Sequence, residues 1–165
     1  MASRLSRDNY FLLMARLASL RGTCARRTVG CILVSSDYQV LATGYNGVPA
    51  GVLHCIDAPC DGANDPSGDT TRCRAIHAEV NAVEQAERSS VLWRVGRAYT
   101  TTLPCLDCAK LLVRSCARIR FIDTILDYPG DSKAYFQTVG LTVTLHPHLQ
   151  HVSLDALMQE KERWR

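Results

Sequence analysis

"RAYTTTLPCLDCAKLLVRSCARIRFIDTIL", residues 97–126, carries the reading of the fold. "RAYTT" (97–101) is a short strand-forming run, and Pro104 interrupts it. "CLDCAKLLVRSCA" (105–117) then repeats apolar residues at helical spacing, and "IRFIDTIL" (119–126) returns to a β-branched strand pattern. A strand, a covering helix and a second strand joined by short connections place the two strands parallel in one sheet.

The same alternation continues outward. Downstream, "DSKAYFQTVG" (131–140) reads as a short helix ending at Gly140, "LTVTLH" as a last strand, and residues 153–163 as a closing helix. Upstream, residues 76–88 form a helix, while "VGCILVSS" and "QVLATGYN" are apolar runs separated by a polar turn, an antiparallel pair. Residues 5–20 place Leu5, Leu12, Leu13, Leu17 and Leu20 at helical spacing and end at Gly22. The order predicts an α/β protein of three layers, α/β/α, with a mixed five-stranded sheet. It forms a single domain over residues 1–165. One segment fits poorly: residues 47–72 hold most of the glycine, proline and aspartate without periodicity, and a loop of that length needs a function or a staple.

Composition narrows the class. The chain has 165 residues, 47% of them hydrophobic and 21% charged, as in a soluble globular protein. No run of about 18 apolar residues is present, which excludes a transmembrane helix. Arg16 interrupts the apolar N-terminal stretch, which is therefore read as an amphipathic helix rather than a targeting sequence. The net charge of +3 names no partner. Residues 1–27 hold six arginines against Asp8, but a solvated helix face explains such a run as well as a phosphate site does. Eight cysteines without a signal peptide point to reduced thiols, some of them holding metal, in a cytoplasmic protein.

Two short motifs carry the chemistry. In "TTLPCLDCAKLL", Cys105 and Cys108 lie three apart at the start of a helix, so both thiols reach toward one spot. The helix N-terminus and a cation both favour the thiolate that binds zinc. In "TTRCRAIHAEVNAVEQA" (70–86), His77 also begins a helix. If both helices start at one end of the sheet, His77, Cys105 and Cys108 provide three ligands for tetrahedral zinc and leave the fourth position for water. Glu79 is then the carboxylate that exchanges protons with that water. Taken singly, a CxxC is as often a redox pair, and an HxE usually means nothing. Joined across 25 intervening residues, they match the zinc-deaminase signature H-x-E and P-C-x-x-C.

On these motifs, together with "TCARRTVGCILV" and "ATGYNGVPAG", the chain resembles the cytidine deaminase superfamily and, within it, the deoxycytidylate deaminases of bacteria and their viruses. The resemblance implies a cytidine-deaminase-like fold, zinc on His77, Cys105 and Cys108, and Glu79 as proton shuttle. The implied reaction is deamination of dCMP to dUMP, the precursor of thymidylate. It also implies that Asn46 holds the deoxyribose and that Tyr128 packs on base or sugar. Arg26 with Thr28 is the candidate for the 5′-phosphate, because a guanidinium matches that group's geometry. Family members are commonly hexamers activated by dCTP and inhibited by dTTP, with Mg2+ accompanying the triphosphates. Asn46 and Gly47 are the candidate effector residues. Neither a membrane nor a nucleic acid is expected as partner, and a viral chain would work in the host cytoplasm.

Of the remaining cysteines, Cys31 and Cys116 read as core residues. Cys24, His54, Cys60 and Cys73, with Cys55 as substitute, bracket the awkward loop and would staple residues 54–73 with a second, structural zinc. Free thiols in a cytosolic loop are the plainer alternative. The histidines of "HPHLQH" (146–151) read as surface residues. Three rival functions remain. A tRNA adenosine deaminase shares both motifs and would need a basic RNA-binding surface. A riboflavin-pathway deaminase would lack its usual reductase partner domain. A zinc-stabilised binding module would have no use for Glu79.

Overall fold

The computed structural model describes residues 4–64 and 72–153. The predicted closing helix at 153–163 therefore falls almost wholly outside the described residues.

Helix α1 (Arg7–Ser19) is followed by strands β1 (Gly30–Ser35) and β2 (Val40–Tyr45). Then come α2 (Ala78–Arg88), β3 (Val95–Thr102), α3 (Leu106–Ser115), β4 (Phe121–Leu126), α4 (Ser132–Thr138) and β5 (Thr142–Leu145). The five strands lie in the order β2-β1-β3-β4-β5. Both neighbours of β1 are antiparallel to it, while β3, β4 and β5 run parallel. This is the expected mixed sheet between helical layers.

Each sheet face has its own core. On one, Phe11, Leu12 and Ala15 of α1 pack against Ile32, Val34, Tyr99 and Ile125. On the other, Ala82, Ala86, Ala109, Leu112 and Phe136 of the three later helices cover Cys31, Leu33, Ala98 and Ile122. Cys31 and Cys116 belong to this second core, as expected. The buried stripe of α1 differs from the leucines that its sequence suggested. Phe11, Leu12, Ala15 and Ser19 face the sheet, whereas Leu5, Leu17 and Leu20 are exposed. Residues three and four apart share a helix face, and Phe11–Ala15–Ser19 selects one rotated away from Leu17.

Two glycines show how closely the layers approach. A Cβ on Gly44 of β2 would collide with the Ala78 carbonyl and come 2.6 Å from Ala82 N, so α2 lies directly on that strand. Gln85 Oε1 of α2 also accepts the Thr43 amide at 2.6 Å, satisfying a donor on the edge strand. Gly22 does not cap α1, which ends three residues earlier. Its missing Cβ instead leaves room for Asn46 Oδ1, which such an atom would approach at 2.8 Å.

Candidate active site

Both metal-binding motifs begin helices, and both helices begin at the same end of the sheet. His77 is the N-cap of α2 and Cys105 the N-cap of α3; each has extended backbone and neither caps its helix with a side-chain hydrogen bond. The two side chains are therefore available for another partner. Pro104 lies just before the N-cap. Cys105 and Cys108 consequently occupy the N-cap and third helical positions, whose side chains face each other at a helix start.

Cys105 Sγ lies 3.5 Å and Cys108 Sγ 3.3 Å from His77 Nδ1. Among the described residues, this is the one group of three or more His, Cys, Asp or Glu side chains whose ligand atoms all lie within 4.8 Å of one another. A hydrogen bond from Cys108 holds the Cys105 thiol down to about 4, which favours the thiolate that binds a metal. The same bond, with burial, pushes Cys108 up. The hydrogen bond to Cys105 raises His77. One imidazole nitrogen and two sulfurs form the borderline-soft donor set that suits zinc.

Glu79, the second residue of α2, is only 4% exposed. Burial raises its carboxyl above the ordinary range, against the opposing influence of its own backbone amide, His77 and a hydrogen bond with Cys108. A carboxyl displaced in this direction is better matched to proton transfer near neutral pH.

A cavity of about 210 Å³ opens over His77, Glu79 and Cys105. Asn46, Arg26 and Tyr128, all anticipated from the sequence, line it. Thr28 lines a neighbouring cavity of about 450 Å³. The Asn46 amide is already engaged with the chain: Oδ1 accepts the Val29 amide at 2.7 Å and Nδ2 donates to the Arg27 carbonyl at 2.7 Å. Gly47 is likewise occupied, exchanging two backbone hydrogen bonds with Ile76, the residue before His77. Sequence reasoning passed over Arg27. Its guanidinium lies 5.5 Å from the centre of the Tyr128 ring, and both side chains line the cavity together with Arg26, whose Nη1 donates to the Gly62 carbonyl at 3.1 Å. The doubled arginine was the available signal, but two adjacent loop residues give no phase to choose between them.

The cysteine loop lies against the same cavity, with Cys24 and Cys73 in its wall. Cys55 and Cys60 are buried with their sulfurs 3.5 Å apart. Cys60 is hydrogen-bonded to Cys73 and, mainly through the Arg74 backbone amide, is lowered to about 7. Burial raises Cys73, which also feels the charge of Cys24. His54 stands exposed, with Nδ1 3.1 Å from Thr23 Oγ1. His146, read as a surface residue, proves half-buried, its Nε2 2.9 Å from Asp123 Oδ1. The strand end turns it inward, onto the sheet.

Residues 5–122 match the family model for the cytidine and deoxycytidylate deaminase zinc-binding region. The chain is 39% identical over 119 residues to the deoxycytidylate deaminase of Mycobacterium phage D29, covering 68% of this chain and 91% of that one. It is 42% identical over 112 residues to the deoxycytidylate deaminase of Schizosaccharomyces pombe, covering 64% of this chain and only 33%, about a third, of the yeast protein. Among solved structures, it resembles the dCMP deaminase of cyanophage S-TIM5 in complex with dCMP and dUMP, with a TM-score of 0.70 and 26% identity over 87% of this chain and 99% of that one.

Proposed function

The chain belongs to the cytidine and deoxycytidylate deaminase family, and on that basis we propose that it hydrolyses dCMP to dUMP and ammonia. The observation that carries the proposal is the buried Glu79 carboxyl, hydrogen-bonded to Cys108 beside a His/Cys/Cys ligand group at the base of a cavity. A purely structural metal site needs no buried carboxylate next to its ligands.

His77, Cys105 and Cys108 would hold zinc. When bound, the metal supplies a Lewis acid that makes water nucleophilic at neutral pH. Glu79 accepts a proton from the attacking water and passes it to N3 of cytosine. It then carries the second proton to the departing amino group, so that the C4–N bond breaks, ammonia leaves and the uracil carbonyl remains. Tyr128, in the cavity wall, would pack on the base or sugar. Arg26 and Arg27 offer the positive charge for a 5′-phosphate, with Thr28 nearby. The remaining N–H and lone pair of Asn46 are what it can offer a deoxyribose hydroxyl.

We assign a second zinc to the cysteine loop, with Cys55 in place of His54 beside Cys24, Cys60 and Cys73, a set less tightly gathered than the His77 group. The linked thiols Cys55–Cys60–Cys73 and the exposure of His54 support that choice. Activation by dCTP and inhibition by dTTP, with Mg2+ on the triphosphates and Asn46 and Gly47 as contacts, accompany this reading. So do a hexameric assembly, a supply of dUMP for thymidylate, and a cytoplasmic setting.

The test is ammonia release from dCMP, dCTP, deoxycytidine and a tRNA anticodon stem, with and without dCTP or dTTP as effector. Release from dCMP supports the proposal, and suppression by dTTP supports regulation. Activity confined to RNA, or none with zinc fully loaded, would overturn it.

A further inference from the structure

We infer that Asn46 is a positioning residue that holds Arg27 at the cavity mouth for the substrate's 5′-phosphate, so that preference for a nucleotide over a nucleoside runs through this pair. The inference rests on the nucleotide reading of the site.

Residues 25–28, between α1 and β1, are exposed and belong to no regular element. Their conformation must therefore be set from outside. Asn46, directly after β2 and 7% exposed, makes four hydrogen bonds to the flanking chain. Its amide N–H reaches the Val29 carbonyl at 3.1 Å, and its carbonyl accepts from Thr23 at 3.1 Å. Its side chain holds Val29 N and Arg27 O, each at 2.7 Å. The bond to the Arg27 carbonyl fixes the backbone of the arginine itself. Arg26 and Arg27 then diverge, the first toward Gly62 and the second over Tyr128.

The next residue extends the device to the metal end. Gly47 and Ile76 exchange hydrogen bonds of 3.1 and 2.8 Å, and Ile76 immediately precedes His77. Asn46 and Gly47 thus set the spacing between the arginine that would meet a phosphate and the histidine that would hold the metal. A nucleotide whose base sits over Glu79 must span that spacing. A guanidinium held over an aromatic ring at its far end suits a phosphate dianion.

The test is kcat/KM for dCMP, deoxycytidine and 2′,3′-dideoxy-CMP in wild type, Arg27→Ala, Asn46→Ala, Asn46→Asp and the Arg27/Asn46 double alanine variant, with zinc content and Tm recorded for each. Arg27→Ala should lower the dCMP-to-deoxycytidine ratio about 10- to 100-fold, the size of a lost charge-assisted hydrogen bond. Asn46→Ala should lower the ratio comparably, chiefly through KM, and the double variant should fall no further than Arg27→Ala alone. The effect should persist on dideoxy-CMP. Asn46→Asp keeps an acceptor for Val29 N but sets an oxygen against the Arg27 carbonyl, so it should fall between; it carries the test if the alanine variant does not fold. Equal losses on dCMP and deoxycytidine would overturn the inference, as would a loss that vanishes without the 3′-hydroxyl, which would mark a sugar contact instead. If the wild type turns over neither substrate, the deaminase reading fails. Equilibrium binding of dCMP against deoxycytidine then decides the positioning role: loss of the phosphate preference in Asn46→Ala supports it, and retention overturns it.

Discussion

Cys108 Sγ rests 3.3 Å from His77 Nδ1, although 31 residues separate them along the chain. The contact depends on α2 and α3 beginning at the same end of the sheet, and it closes the three-ligand group. Cys108→Ala should therefore remove one zinc per chain and abolish deamination. Metal analysis of the purified variant checks this. Unchanged zinc content together with unchanged activity would place the metal elsewhere.

Glu79 is hydrogen-bonded to Cys108 but stands outside the three clustered ligand atoms, and its proposed work is proton transfer. Glu79→Gln preserves shape and removes the exchangeable proton. Zinc content should stay at the wild-type level while ammonia release from dCMP falls by at least about 10²- to 10⁴-fold. Parallel zinc loss would make Glu79 a ligand or a support for one.

His54 and Cys55 are neighbours with opposite surroundings: one exposed beside Thr23, the other buried against Cys60. Cys55→Ser should lose the second zinc and lower Tm, whereas His54→Ala should retain both. Zinc stoichiometry and thermal unfolding of the two variants, side by side, separate the two ligand sets. The reverse pattern would restore His54 to the site.

The burial of Asp123 predicts a pH dependence with a definite sign. Burial raises its carboxyl above 3.8, with Asp8 adding to the rise, while His146 and Arg97 oppose it. The folded chain then holds this proton more tightly than the unfolded chain does. Its contribution to stability is greatest below 3.8 and declines as pH rises from there through the raised value. Asp123→Asn removes the titration. Denaturant unfolding across that window should show wild type losing stability relative to the variant as pH increases; a relative gain would contradict the assigned direction.

Gly44→Ala tests the seating of α2. Its Cβ would meet the Ala78 carbonyl and Ala82 N, both backbone atoms that cannot rotate aside. A loss of about 1–3 kcal/mol is expected from overpacking. Because Ala78 follows His77, zinc affinity should weaken as well. Unfolding curves and a zinc titration measure both effects; an unperturbed variant would mean that α2 can shift without disturbing the ligand.

The sequence by itself determined the succession of strands and helices, because apolar periodicity and Pro104 act over a few residues. It also singled out His77, Cys105, Cys108 and Glu79, because each sits at a helix start where the local spacing sets its direction, and the fold brings the first three together. Tertiary structure alone set Arg26 against the Gly62 carbonyl and Arg27 over Tyr128, and left His54 exposed and Cys55 buried. Adjacent residues in an irregular loop point in different directions, and no repeating pattern records which one turns inward. It also decided that the Asn46 amide meets Val29 and Arg27, and that His146 meets Asp123, across separations of 17, 19 and 23 residues. Such hydrogen bonds form only after the sheet has brought distant backbone and side chains together, and the burial that makes them necessary does not exist until the layers have packed.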